Sequence, residues 1–130
     1  MIVVDASALL EVLLRTPAAE AIEAVLFEGR QTLHAPHLLD AEVTHVLRRY
    51  AKAGEISEER GREGLSDLSD FPIRRYPHGF LLTRVWDLRS NFTAYDAIYV
   101  ALAEALNARL LTRDQRLAAA IRNHVAVELA

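Results

Sequence analysis

The sequence contains no cysteine, and this absence limits the kinds of site that it can build. A disulfide framework, a zinc site with thiolate ligands and a cysteine nucleophile are all excluded. Any metal ion must therefore be held by oxygen atoms or by histidine nitrogens. The lack of cysteine also fits a reducing compartment.

Long apolar runs and a targeting signal are lacking as well. Although 52% of the residues are hydrophobic, no apolar run approaches the roughly 20 residues that span a bilayer. Met1 leads through three apolar residues directly into Asp5, without the basic region or the small-residue cleavage site of a secretory signal. We therefore expect a cytoplasmic protein with no part in a membrane.

The chain has no excess of positive charge. Its 15 lysines and arginines against 18 aspartates and glutamates give a formal charge of −3, which argues against a protein that coats nucleic acid. An enzyme that acts on RNA is not excluded, because divalent cations held by clustered carboxylates reverse the charge that a phosphodiester meets.

Short apolar runs alternate with helical patterns along the 130 residues, a length that suits one domain. Strands are predicted at residues 2–4, 32–35, 72–76, 109–112 and 124–127. Helices are predicted to open at Asp5 and to cover residues 17–28, 36–54, 57–69, 79–89, 93–106 and 114–122. This alternation predicts a single α/β domain over residues 1–130, with a parallel sheet covered by helices on both faces.

Two aspartates stand between a predicted strand and a predicted helix. Asp5 follows the first strand, and Asp114 follows Thr112 at the end of a later one. Taken singly, each is best interpreted as a helix N-cap. Taken together, they indicate a site, because open parallel sheets bind ligands at the carboxyl ends of their strands.

Glu42 lies within the apolar stripe of its predicted helix, which is formed by Leu38, Leu39, Val43, Val46 and Leu47. Burying an unpaired carboxylate costs several kcal/mol, so Glu42 needs a hydrogen bond, an ion pair or a metal ion. An ion pair with an arginine is the structural alternative to a functional role.

Asp96 follows Thr93 by three residues, in the form of a capping box with Asp in place of Glu. The helix that it opens is apolar almost all round, which indicates deep burial. Capping the helix and facing a pocket are compatible roles for this residue. Four acids brought together would repel one another and raise their own pKa values unless cations neutralised them. Oxygen ligands of this kind suit Mg²⁺ or Mn²⁺.

Four segments together resemble the PIN domain and, within it, the VapC-type toxins of type II toxin–antitoxin systems. They are VVDASALL around Asp5, PHLLDAEV around Glu42, TAYDAIYVALA around Asp96 and LLTRDQRL around Asp114. In order, they cover nearly the whole chain. The resemblance implies a five-stranded parallel sheet between helices, with these four acids as a catalytic quartet around Mg²⁺ or Mn²⁺.

The resemblance also implies supporting roles for the hydroxyls of Ser7 and Thr112, and an activity. VapC-type proteins are metal-dependent endoribonucleases in which metal-activated water cleaves RNA. They usually act as homodimers, and a small VapB-like antitoxin silences them by laying a segment across the active site. One departure is Arg116, where many PIN domains carry another acid, and it argues against a second tightly held metal ion.

Other interpretations of the same residues stay open. The chain fits a non-catalytic PIN-like module that binds RNA or protein, or a phosphohydrolase acting on small phosphoesters, although it lacks a glycine-rich phosphate loop. Arg113 and Arg116 are candidates for phosphate contacts, but basic residues on helices more often face solvent. The aromatic rings of Trp86, Tyr95 and Tyr99 are candidates for base stacking, but such residues are more often part of the core.

Overall fold

Five short strands form one parallel sheet in the computed structural model of the chain, which describes residues 1–130. The strands are β1 Ile2–Val4, β2 Leu33–Pro36, β3 Ile73–Tyr76, β4 Arg109–Thr112 and β5 Val127–Leu129. Their order across the sheet is β3-β2-β1-β4-β5, and every neighbouring pair is parallel. The first strand in sequence therefore lies at the centre. The predicted α/β fold with a five-stranded parallel sheet is confirmed.

Seven helices and one 3-10 turn connect the strands. The helices are α1 Ala6–Leu13, α2 Ala19–Leu26, α3 Leu38–Lys52, α4 Glu58–Asp70, α5 Leu82–Asp87, α6 Ala94–Leu106 and α7 Gln115–Ile121, and the 3-10 turn is Gly79–Leu81. None of these helices has the length and apolar character to cross a membrane.

Alternate residues of the central strand enter two separate hydrophobic cores. Ile2 and Val4 pack with residues of α1 to α4 on one face of the sheet. Val3 packs on the other face with residues of α5, α6 and α7. All three side chains are fully buried. This arrangement explains why β1 is an unbroken apolar run, since a strand covered on both faces has no solvent side.

Most elements lie where the sequence predicts them, and the differences are at element ends. The last strand was predicted at residues 124–127 but forms at Val127–Leu129. The backbone N–H groups of His124 and Val125 donate to Ile121 O and so complete the last turn of α7. The predicted helix at 79–89 begins as a 3-10 turn and, as α5, ends at Asp87.

Two prolines stand outside the helices that they were predicted to open. Pro17 was placed in the first turn of a helix, but α2 begins at Ala19, because Thr16 O accepts from Ala19 N and closes a turn there. Pro36 closes strand β2, and α3 begins two residues later.

Gly54 ends α3 in a left-handed backbone conformation, with φ of 75°. A Cβ at this position would meet no atom within 4 Å. We expect Gly54→Ala to lower the free energy of unfolding by about 1 kcal/mol, because an L-residue is strained in the left-handed region. Urea denaturation measures this loss. Gly79→Ala is the matched control, since that site is equally open but has no positive φ, and equal losses in both variants would contradict the strain argument.

Candidate functional site

Two neighbouring strands each have an aspartate just beyond their carboxyl ends. Asp5 follows β1, and Asp114 follows the neighbouring strand β4 by two residues. The backbone N–H of Asp5 donates to Leu111 O at 3.2 Å, which extends the β1–β4 ladder up to the site. The carboxyl edge of the two central strands therefore carries both aspartates.

Asp5 is buried, with 6% of its surface exposed, and several donors hold it. Its Oδ1 accepts from Ser7 Oγ at 2.7 Å and from the backbone N–H of Ala8 at 3.0 Å. Its Oδ2 accepts from the hydroxyl of Thr112. Burial raises the pKa of Asp5 most strongly, these hydrogen bonds lower it, and the charge of Asp114 raises it. The predicted N-cap of α1 is confirmed by the bond from Ala8.

The hydroxyls of Thr112 and Ser7 connect the segment around Asp5 with the segment around Asp114. Thr112 is completely buried, and besides donating to Asp5 its Oγ1 accepts from the backbone N–H of Asp114 at 3.0 Å. Ser7 Oγ accepts from the backbone N–H of Arg113 at 2.9 Å. The segment that carries Asp114 is therefore tied to α1 through two hydroxyl groups.

Asp114 caps α7, as predicted, through the bond from Leu117 N–H to its Oδ1 at 3.1 Å. The residue is exposed, and its second oxygen accepts no hydrogen bond within the protein. Its charge raises the pKa of both Asp5 and Asp96. The capping role and a place in the acidic cluster are thus combined in one side chain.

Glu42 is half-buried, and its partner is a tyrosine rather than an arginine. The hydroxyl of Tyr99 in α6 donates to Glu42 Oε1 at 2.6 Å. No ion pair includes Glu42, so the arginine alternative is wrong. Burial raises the pKa of Glu42 most strongly, Tyr99 lowers it, and the charges of Asp5 and Asp96 raise it. Burial and Glu42 also raise the pKa of Tyr99, so its phenol stays protonated.

The sequence did not reveal the link between Tyr99 and Glu42. Tyr99 stands in a segment that is otherwise apolar, and its ring does belong to the core. A buried phenol requires a hydrogen-bond partner, which was the one available signal, but the identity of that partner depends on how α3 and α6 face each other.

Asp96 is half-buried in the first turn of α6. The predicted Thr93 cap is confirmed, since Thr93 Oγ1 accepts from the backbone N–H of Asp96 at 3.2 Å. Burial raises the pKa of Asp96 most strongly, the charge of Asp114 raises it further, and Arg116 and the Thr93 hydroxyl lower it. The charge of Arg116 therefore favours the ionised form of this acid without forming an ion pair with it.

The four acids form one electrostatic group. Glu42 is affected by Asp5 and Asp96, and Asp114 affects both of those aspartates. None of the chain's five ion pairs includes any of the four. Their mutual repulsion is therefore left without a directly paired cationic side chain.

The donor chemistry of this group fits a hard divalent cation. No three acidic or histidine side chains are arranged to enclose a metal ion by themselves. Mg²⁺ keeps several water ligands and commonly takes only one or two carboxylates, so a complete protein cage is not required. Uncompensated carboxylate oxygens are the ligands that Mg²⁺ and Mn²⁺ prefer.

Comparison with known proteins identifies the family. The PIN domain model matches residues 2–123. The chain is 48% identical over 122 residues to "Ribonuclease VapC1" of Mycobacterium tuberculosis, which covers 91% of this chain and 89% of that protein. The chain belongs to the PIN-domain family and, within it, to the VapC group. The resemblance seen in the sequence is confirmed.

Solved structures share the fold at low sequence identity. The crystal structure of VapC20 from M. tuberculosis, described as a sarcin-ricin loop cleaving toxin, matches with a TM-score of 0.72 at 12% identity and covers 92% of this chain and 95% of that one. VapBC2 of Rickettsia felis, bound to a DNA fragment from its promoter, matches with a TM-score of 0.72 at 14% identity and covers 100% and 99%.

We expect Asp96→Asn to raise the free energy of unfolding of the metal-free protein at pH 7. The pKa of Asp96 in the folded protein lies above its ordinary value of 3.8, so stability falls as the pH rises through the folded pKa. The uncharged amide side chain at position 96 does not ionise, so the variant does not lose this stability as the pH rises. Below pH 3.8 the carboxyl is protonated in both states, and the advantage should vanish.

Chemical denaturation in EDTA at a series of pH values measures this difference. Asp67→Asn changes the net charge equally at an exposed position of α4 and serves as the control. Equal stabilisation by both variants would assign the effect to net charge and not to the acidic cluster.

Proposed function

We propose that residues 1–130 act as one PIN domain with metal-dependent endoribonuclease activity, and that the chain is the toxin of a VapBC-type toxin–antitoxin pair. The observation that carries the proposal is the group of four carboxylates without a paired cation, in a chain 48% identical to a ribonuclease of the VapC group. Hydrolysis of RNA phosphodiester bonds is the reaction that we assign.

We assign the metal-binding and catalytic roles to Asp5, Glu42, Asp96 and Asp114. A bound Mg²⁺ or Mn²⁺ would lower the pKa of a water molecule and neutralise charge that develops on the phosphodiester. Ser7 and Thr112 fix the carboxylate of Asp5 by hydrogen bonds, so the acid does not have to be reoriented when a ligand arrives. Among the oxygens without a hydrogen bond are Glu42 Oε2 and Asp114 Oδ2.

Arg116 supports a site with one tightly held cation. Its charge lowers the pKa of Asp96, so it offsets part of the negative charge that would attract a second cation. The side chain is exposed and forms none of the chain's ion pairs, which leaves it free to contact an RNA phosphate. Arginine suits that role because its planar head can donate two hydrogen bonds to phosphate oxygens.

We infer three further features from the relatives. A solved structure from Klebsiella pneumoniae that shares this fold is described as a toxin-antitoxin complex, which supports a VapB-like antitoxin as the partner of this chain. A homodimer is proposed on the resemblance alone, and sedimentation equilibrium would test it. Because RNA and antitoxin would meet there, we propose the cytoplasm as the place of action.

We expect the purified, antitoxin-free chain to cut RNA in Mg²⁺ or Mn²⁺ and to be inactive in EDTA. Asp96→Asn should reduce the cleavage rate on the order of 100-fold or more, since the cation's stabilisation of charge is worth several kcal/mol. Gel analysis of total RNA measures the products. Asp67→Asn is the matched control and should cut at the wild-type rate.

The same assay separates the other functions considered. If chromogenic phosphomonoesters were hydrolysed faster than RNA, the small-phosphoester phosphohydrolase would be favoured. If the folded wild-type protein bound no divalent cation and cut no RNA, the non-catalytic module would replace the nuclease.

We also expect expression of the chain in a bacterial host to arrest growth, because an RNA-cleaving toxin acts on the host's own RNA. Asp5→Asn should remove this effect while Asp67→Asn retains it. Colony counts after induction measure the outcome, with protein levels compared by immunoblot. Equal toxicity of wild type and Asp5→Asn would contradict a catalytic origin.

A further inference from the structure

Tyr99 contacts Glu42, one of the four acids, from within the hydrophobic core. Tyr99 is 3% exposed and belongs to the core beneath α6. Its hydroxyl reaches across to α3 and donates to Glu42 Oε1 at 2.6 Å. The ring is thus fixed by packing while its polar end touches one of the four acids.

Tyr99 is the sole hydrogen-bond donor to the Glu42 carboxylate within the protein. No ion pair and no other hydrogen bond involves this side chain. Glutamate has three rotatable side-chain bonds and loses considerable freedom when it is fixed. A single bond to a rigid ring at Oε1 limits that freedom and leaves Oε2 without a partner inside the protein.

The neutral character of this donor distinguishes it from an arginine or lysine. A cationic partner would cancel the charge of Glu42 and compete with a divalent cation for it. A phenol holds the carboxylate but leaves its negative charge in place. The contact therefore supports an acid that must remain available to a cation from solution.

We propose that Tyr99 is a positioning residue that holds Glu42 Oε1 so that Oε2 is presented to a divalent cation. This rests on the proposed function, in which Glu42 is a metal ligand. Loss of the hydroxyl leaves the ring packed but frees the carboxylate. Partners that orient metal ligands typically contribute 10–100-fold to metal affinity.

Tyr99→Phe removes the hydroxyl alone and tests the role through metal binding. We expect isothermal titration with MnCl₂ to give a Kd about 10–100-fold higher than that of the wild type. Tyr95→Phe is the matched control, because it removes a hydroxyl one turn earlier in α6 from a side chain that is 63% exposed. Its Kd should equal that of the wild type, and thermal melting verifies that both variants are folded.

The same titration in a Glu42→Gln background shows whether the effect passes through Glu42. Tyr99→Phe should then cause little further loss of affinity, since the acid that it positions is already absent. An equal loss in both backgrounds would overturn the positioning role, as would equal Kd values for wild type and Tyr99→Phe. If the wild type itself bound no Mn²⁺, the proposed metal site would fail, and the role of Tyr99 with it.

Discussion

The burial of Asp5 against the end of the central strand is the constraint on which the site depends. Removing a carboxylate from water is costly, and it raises the pKa of this residue. Ser7, Ala8 and Thr112 offset part of that cost with hydrogen bonds to both carboxylate oxygens. Since Thr112 lies on β4 and Ser7 on α1, the same bonds that stabilise the acid also set the spacing between the two central strand ends.

Capping and clustering are served by the same side chains, and this double use follows from the topology. Where a strand leads into a helix, the first N–H groups of the helix lack partners, and a residue at the carboxyl end of the strand can cap them. Asp5 and Asp114 supply those caps, and because β1 and β4 are neighbours in the sheet, their charges come close together. A cap can be satisfied by one oxygen, so the remaining oxygen of Asp114 stays available. Capping the helix therefore leaves one carboxylate oxygen of Asp114 free for another role.

Local pattern was sufficient to predict the order of elements and the parallel sheet. It failed at the end of one element and at one long-range contact. The N–H groups of His124 and Val125 bond to Ile121 and extend the last turn of α7, which delays β5 until Val127. An apolar pattern cannot distinguish these outcomes, because Val125 and Val127 suit either one. The hydrogen-bond partner of Glu42 could not be predicted either, because Tyr99 lies 57 positions away in the sequence.

The groups that hydrogen-bond to three of the four carboxylates, those of Asp5, Glu42 and Asp114, all lack formal charge. Asp5 is bound by hydroxyls and a backbone N–H, Glu42 by a phenol, and Asp114 by backbone N–H donation. The arginines of the five ion pairs are all committed to other acids. Neutral donors fix the carboxylates in place without removing the repulsion among them. That repulsion disfavours the fully ionised state, and a divalent cation bound among the acids would relieve it. Arg116 lowers the pKa of Asp96 and so offsets part of this repulsion, which is consistent with the proposal of a single tightly held cation.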